Sequence, residues 1–381
     1  MILMMLENVG QAGSAGDEIV FSHVDARLSE GMDDVGSWRA GKVFQLLGYI
    51  FQAWRVWWHE KPEAFYYVPA PAKRSALYRD WLVLLLVAPL FKFRVFHWHA
   101  VGLGKWVAEG VTQGAVRQIE ASITRLLFSG KELSIVLNEE GRRDVEIFTP
   151  RRITIVPNGI PDPCPDFATT LLPERLRRHA EQIQPGAKPV FSLLYLAHAT
   201  HTKGLFDAIE AVALTNARFV AEKSTARIRL TVAGAFVDRE EETAFHERLK
   251  RDDLLLGDAG EQAVIYAGYV GPEEKHRLLS TSDALCFASY FPNEGQPVSI
   301  IEALAYGLPV LLSRWRGLPE MVPPALAHLT DPRDPASLAQ ALPLLLQEGR
   351  FDQYRQCYLD RYSLASHCQR MKEAFLSLTL P

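Results

Sequence analysis

Two carboxylates, Glu294 and Glu302, frame the stretch Asn293-Glu294-Gly295-Gln296-Pro297-Val298-Ser299-Ile300-Ile301-Glu302-Ala303-Leu304-Ala305-Tyr306-Gly307-Leu308-Pro309. Pro297 suits a first helical turn, and Gly307 followed by Pro309 suits a helix end. Pro309-Val310-Leu311-Leu312 reads as a buried strand. Gly295 can take an unusual backbone angle beside a ligand. If the separation is helical, the two acids stand about 12 Å apart. The unpaired N–H groups of the helix start, which attract anions, lie between them. A molecule with hydroxyls at both ends and a diphosphate in the middle fits that layout, and a nucleotide-sugar is such a molecule. Glu302 sits in Ser-Ile-Ile-Glu-Ala-Leu-Ala, where an unpaired carboxylate is costly, so a functional acid is preferred to a solvated one.

A cation stands upstream. The strand ending Leu194-Tyr195-Leu196-Ala197 leads into His198-Ala199-Thr200-His201-Thr202-Lys203-Gly204-Leu205 and then an amphipathic helix. Lys203, just before that helix, can offer a point charge to a phosphate at the helix's positive end. Taken alone it reads as a solvated helix-start lysine.

These residues need elements to hold them. Strand-like runs at 65–68, 94–98, 133–137 and 153–156 alternate with helical stretches at 39–59, 74–88, 104–129 and 139–147. A second alternation follows: strand 190–197, helix 203–220, strand 228–233, helix 238–251, strand 263–267, helix 272–281 and strand 284–287. A helix around 335–348 and helices over 350–378 close the chain. The pattern predicts an α/β protein of two doubly wound domains with a cleft between them. Pro157-Asn158-Gly159-Ile160-Pro161-Asp162-Pro163 interrupts it, and 171–184 is polar and helical, which sets the boundary near Pro185-Gly186. The expected domains are 1–184, 185–349 and a helical tail 350–381 packing back on the first.

The chain's 381 residues allow two sizeable domains, and 48% hydrophobic with 23% charged residues describes an ordinary globular protein. A net charge of −4 gives no reason to expect nucleic-acid binding. Cys164, Cys286, Cys357 and Cys368 lack metal-type spacing, and no Asp-x-Asp motif occurs, so no metal is expected and free thiols in a reducing compartment are. Residues 1–6 lack the basic start of a signal peptide, and the longest apolar run, 81–91, is too short to span a bilayer. At the start, a strand over 2–6 precedes Gly10, Gly13 and Gly16, but the next strand, 18–25, comes too soon for a phosphate loop with a helix behind it, so a flexible leader is expected.

The segment from Trp38 to Lys105 stands apart. Arg39, Lys42, Arg55, Lys61, Lys73, Arg74, Arg79, Lys92, Arg94 and Lys105 face only Glu60, Glu63 and Asp80, and six of the eight tryptophans lie here. In the helix from Val43 to Trp58, Gln45, Gln52 and Arg55 form a narrow polar stripe beside a broad apolar face. Tryptophan with basic residues suits an anionic membrane interface, and burial within its own domain suits the apolar face equally.

Together these pieces resemble the family-4 retaining glycosyltransferases of the GT-B fold. The likeness rests on Glu294 and Glu302 with Gly295 and Pro297 between, and continues through Ala303-Leu304-Ala305-Tyr306-Gly307-Leu308-Pro309-Val310. Lys203-Gly204, Tyr266-Ala267-Gly268-Tyr269-Val270, Ser289 and Val156-Pro157-Asn158-Gly159-Ile160 extend it. It covers nearly all of 150–325 and is weak before that.

The resemblance implies transfer of a sugar from a nucleotide-diphosphate donor to a hydroxyl acceptor, in surface polysaccharide or glycolipid assembly. It assigns Glu302 to the donor ribose and Glu294 to the sugar near the transferring carbon. Backbone N–H groups of Gly295, Gln296, Pro297 and Val298 (proline itself lacking one) would line sugar and diphosphate, and Lys203 would neutralise the leaving group. Tyr269 and Val270 would line the base, with Ser289 and His198 completing the donor side. His99, in Phe96-His97-Trp98-His99, is the histidine implied to face sugar and acceptor, with His97 expected on the opposite face of the strand. His198 stands where the family commonly has an arginine, and the usual opening of strand, glycine loop and long first helix is not seen. That absence leaves a second reading open, a GT-B-like nucleotide-sugar-binding protein without a working acceptor side. The expected partners are a nucleotide-sugar and a carbohydrate or lipid-linked acceptor, with a cytoplasmic location at or near the inner membrane face.

Overall fold

The computed structural model describes residues 19–26, 40–256 and 260–378. These form two compact units, Met1–Pro157 with His367–Pro381, and Asn158–Ser366. The strand read at 2–6 and the glycines at 10, 13 and 16 lie outside the described residues. Within the described residues, 19–26 carry no strand: extended residues become a strand only when a neighbour completes the hydrogen-bond ladder, and none pairs with them.

In the first unit, helix α1 (Ala40–Glu60) precedes β1 (Ala64–Tyr67), α2 (Arg74–Leu86), β2 (Phe93–Trp98), α3 (Leu103–Gly110), α4 (Gly114–Phe128), β3 (Leu133–Val136), α5 (Glu139–Val145) and β4 (Ile153–Ile155). The four strands are parallel and adjacent in chain order, β1-β2-β3-β4, with Tyr66 opposite Val95 and His97 opposite Ile135. That single direction of winding corresponds to one half of a doubly wound sheet. Phe96, Trp98, Phe128 and Phe148 fill its core, Trp98 stacking on Phe148 with centroids 5.4 Å apart. The single helix expected over 104–129 is two, the chain breaking after Gly110 and restarting at Gly114, whose left-handed φ of 63° turns it into α4. Beside the outer edge of β1, residues 19–26, the inner face of α1 and Phe375 line a largely apolar cavity of about 790 Å³.

The second unit contains α6 (Leu172–Gln182), β5 (Val190–Leu196), α7 (Leu205–Ala221), β6 (Arg227–Ala233), α8 (Arg239–Arg248), a short antiparallel pair β7 (Leu255–Leu256) and β8 (Glu261–Gln262), and β9 (Val264–Gly268). It continues with α9 (Pro272–Thr281), β10 (Ala284–Phe287), α10 (Val298–Ala305), β11 (Val310–Ser313), β12 (His328–Thr330), α11 (Pro335–Leu345) and α12 (Phe351–Arg361). The last helix, α13 (Leu364–Leu376), begins here, and from His367 onward belongs to the first unit. The six-stranded parallel sheet runs β12-β11-β10-β5-β6-β9. Winding goes outward one way from β5 and the other way from β10, so the direction reverses between two paired strands, where Leu285 lies opposite Leu194. The loops at the carboxyl ends of β5 and β10 therefore meet where open α/β sheets bind ligands.

The boundary expected near Pro185-Gly186 falls instead between Pro157 and Asn158. Residues 158–184 pack with the second core, through Ile160, Cys164, Phe167 and Leu171. Arg175 is fully buried there, donating to the carbonyls of Ser282 and Leu279 at the end of α9. All four cysteines are free and buried.

Candidate functional site

The two loops at the reversal point carry Lys203 and Glu294. After β5 a single 3₁₀ turn, His201–Lys203, is capped by Thr200, whose hydroxyl accepts from the Lys203 N–H. Gly204 then adopts a left-handed φ of 78°, and a Cβ there would stand 2.2 Å from the Ala288 carbonyl oxygen. Glycine alone lets the Lys203 turn lie against the chain leaving β10. Thr202 locks the contact, its carbonyl accepting from the Tyr290 N–H at 2.8 Å.

Lys203 Nζ donates to both Glu294 oxygens, at 3.0 and 2.9 Å. The pair is nearly enclosed, its side chains 17% and 6% exposed. Ser289 donates to Glu294 Oε2, and the Lys203 ammonium lies 4.7 Å from the Phe291 ring centroid. The Trp315 indole donates to the Phe291 carbonyl at 2.8 Å and braces this loop. The loop from β10 to α10 therefore folds around one ion pair.

Helix α10 starts at Val298, with Pro297 as the residue before it and no side chain capping its N–H groups. Those groups are left for a ligand or solvent. Glu294 is in the loop, so the helical ruler from Glu294 to Glu302 does not apply to its first half. Gly295 is buried and outside the left-handed region, so backbone conformation is not what selects glycine there. The helix ends in a Schellman turn, Leu308 N–H to Ala303 carbonyl and Gly307 N–H to Leu304 carbonyl, with Gly307 at φ 65°.

Glu302 is not unpaired. Lys275, from α9, donates to it at 2.5 Å, a contact between residues 27 apart that sequence reasoning missed. The signal was present, because Lys275 lies in the first turns of a helix with the acids Glu273 and Glu274 beside it. Gln296 also has a use not foreseen: its side-chain oxygen accepts from the Asn158 N–H at 2.6 Å and ties that loop to the start of α10. His198 is exposed beyond β5, its carbonyl accepting from the buried Tyr195 hydroxyl. Tyr269 projects at 83% exposure beyond β9, and Val270 packs at the edge of the core. Glu294 is thus in direct contact with both Lys203 and Ser289, Glu302 has Lys275, His198 shares the loop after β5 with Lys203, and Tyr269 and Val270 sit beyond β9 of the same unit.

His99 belongs to the first unit, one residue past β2. It is half-buried, and its Nε2 has no hydrogen-bond partner. Burial, with a contribution from His367, pushes it down from 6.5 to about 4, so the ring is neutral at ordinary pH. His97 does not point the other way: its ring centroid is 4.2 Å from that of His99. Residues two apart in extended chain share a face, so the alternation that seemed to separate them brings them together. His97 is fully buried, shares a 2.6 Å hydrogen bond with the Tyr66 hydroxyl through Nδ1, and is likewise held well below the usual range by burial. His367 Nδ1 bonds the Pro157 carbonyl at 2.6 Å. Among the described residues no group of His, Cys, Asp and Glu is arranged to hold a metal ion.

The two-unit parallel α/β architecture is the GT-B fold. A glycosyltransferase from Rickettsia africae superimposes with a TM-score of 0.64 over 90% of this chain and 84% of that one, at 14% identity. Anabaena Alr3699/HepE, solved in complex with UDP-glucose, gives 0.61 over 89% and 84%, at 15% identity.

Within that fold, residues 178–358 match the family model of the glycosyl transferases group 1. The amylovoran biosynthesis glycosyltransferase AmsK of Erwinia amylovora is 28% identical over 164 residues, 42% of this chain and 37% of that protein. The chain thus spans little more than a third of that curated relative's length. The segment 178–358 matched by the family model contains Lys203, Lys275, Ser289, Glu294 and Glu302.

Proposed function

We propose that the protein is a retaining glycosyltransferase that moves a hexose from a nucleotide-diphosphate donor to a hydroxyl acceptor, in assembly of a surface polysaccharide or glycolipid. The observation that carries this reading is the Lys203–Glu294–Ser289 cluster beside the uncapped start of α10, at the sheet's reversal point. The group 1 match over the same segment supports it, as do the glycosyltransferase relatives.

In this reading the donor diphosphate lies at the first N–H groups of α10, where partial positive charge is fixed in place, and Lys203 adds a mobile full charge. Glu302, aligned by Lys275, takes the ribose hydroxyls. Glu294, aligned by Ser289, takes sugar hydroxyls and releases part of its hold on Lys203 as the diphosphate arrives. Ser289 and His198 complete the donor side, and Tyr269 and Val270 line the base. The bond from the anomeric carbon to the diphosphate oxygen breaks as the acceptor oxygen closes on the same face. The acceptor proton passes to the departing oxygen, so configuration is retained without a covalent bond to the protein. Lys203 and the helix end stabilise the leaving dianion, and no metal enters the scheme. His99, neutral and with a free ring nitrogen, is assigned to the acceptor side on the resemblance alone.

Screening nucleotide-sugars by thermal shift identifies the donor, because a ligand that binds only the folded state stabilises by about 2.7 kcal/mol at a hundred times its Kd. Glu294→Ala should abolish donor turnover while Glu302→Ala mainly weakens donor binding. Tight donor binding with neither transfer nor hydrolysis in the wild type would support the non-catalytic binding protein instead.

A further inference from the structure

The outer face of α1 carries Phe44, Leu47, Phe51, Trp54 and Trp58, spaced three, four, three and four residues apart. At 100° per residue these five fall within an arc of roughly 80°. They are not core residues: Phe44 is 73%, Phe51 66% and Trp58 68% exposed. The helix is held to its own unit by the adjoining face, where Leu46 and Ile50 pack on Val87. Trp54 reaches across to α2, its indole donating to the Leu86 carbonyl at 2.8 Å. Leu82, Leu85 and Leu86 of α2 are themselves exposed and widen the apolar surface. Burial within its own domain therefore accounts for one face of α1 and not for this one.

Charge accompanies the stripe. Arg55 is exposed on the polar flank next to it, and the Lys61 ammonium lies 4.1 Å from the Trp57 ring centroid and 4.8 Å from that of Trp58. The first turn of α1 carries no acid. The segment Trp38 to Lys105 is strongly cationic in a chain whose net charge is −4. No described helix is long and apolar enough to cross a membrane. An aromatic stripe with cations at its border, on a helix that cannot span, has the chemistry of a helix lying in a lipid interface.

We infer that the outer faces of α1 and α2 dock the protein on an anionic lipid bilayer, with Phe44, Phe51 and Trp58 entering the headgroup boundary and Arg55 and Lys61 meeting lipid phosphates. This deepens the glycosyltransferase reading by placing the acceptor in the class of lipid-linked molecules, and rests on that reading for this consequence alone.

The test is co-sedimentation of the full chain with vesicles of phosphatidylglycerol and phosphatidylcholine, compared with phosphatidylcholine alone. Binding to the anionic vesicles is expected, falling steeply with added salt. Phe51→Ser combined with Trp58→Ser should cut partitioning more than tenfold. Arg55→Glu should weaken binding to anionic vesicles and leave any residual binding to neutral ones unchanged. Because all three positions are exposed, the unfolding midpoint and the donor-induced shift should match the wild type. A wild type that stays in the supernatant overturns the inference, as does a double variant that binds like the wild type. So does a lipid-free wild type that sediments as an oligomer and becomes monomeric in the double variant, which would assign the face to a second copy of the chain. Loss of vesicle binding with an intact donor shift separates this inference from the proposed activity.

Discussion

Consider replacing Lys203 with methionine, which keeps the length of the side chain and removes its charge. Glu294 would then stand 6% exposed with the Ser289 hydroxyl as its remaining side-chain partner among the described residues. Breaking one side of a buried pair costs about 3–5 kcal/mol because the remaining charge is stranded. Here the Ser289 bond survives and Lys203 is 17% exposed, so the lower end, about 3 kcal/mol, is the expected loss. For a unit of some two hundred residues that corresponds to a fall of roughly 6–12 °C in Tm. Adding Glu294→Gln removes the stranded charge and keeps an acceptor for Ser289, so most of the loss should return, a coupling of about 2 kcal/mol. Donor binding should behave differently. A charge-assisted contact to the diphosphate is worth about 2–3 kcal/mol, so both Lys203→Met and the double variant should bind donor roughly 30- to 150-fold more weakly. Scanning calorimetry measures the stabilities, and titration of the donor-induced shift measures the affinities. If the double variant regains both stability and donor affinity, Lys203 is a structural ion-pair partner and has no role toward phosphate.

Three further outcomes are expected. Gly307→Ala should cost about 2–4 kcal/mol, because alanine is strained at φ 65° and its Cβ would stand 2.6 Å from the Phe167 ring and 2.7 Å from the Phe351 carbonyl oxygen; a chemical denaturation midpoint within error of the wild type would contradict this. Lys275→Met should raise KM for the donor about tenfold with little change in kcat, since Lys275 aligns Glu302 and touches no reacting atom; equal falls in kcat and kcat/KM would argue otherwise. Burial depresses His97, His99 and His367, so the unfolded chain takes up their protons first as pH falls. Their contribution to stability is intact above pH 6.5 and is lost below it, with His99 alone losing about 3 kcal/mol as pH approaches 4. His99→Gln should flatten that acid limb in urea titrations run between pH 7 and 4.

What could be read beforehand follows from the range of each signal. The stop at Gly307-Leu308-Pro309, the turn before α7 and the alternation of strands are local, and the structure has them within a few residues. Lys203 was legible as a helix-start cation, but its pairing with Glu294 spans 91 residues and is written only in the strand order. Lys275 was passed over for the same reason. The three-residue strand β12 is too short to carry a periodic pattern. The unit boundary was misplaced because Pro157-Asn158 looks like one turn among several. Residues 158–184 join the second core through scattered apolar side chains, with no long periodic face to reveal it.

Each acid of the candidate site has its own lysine, Glu294 with Lys203 and Glu302 with Lys275. On the proposed reading a diphosphate would meet side-chain charge that is already paired, so its attraction would be shared between the first N–H groups of α10, which no side chain caps among the described residues, and Lys203 as that ammonium shifts from Glu294 toward the phosphates. In the proposed reaction, charge on the leaving group grows as the glycosidic bond breaks, so a lysine already drawn partly from Glu294 by the bound donor would strengthen its contact further in the transition state, which is the condition for raising kcat as well as lowering KM.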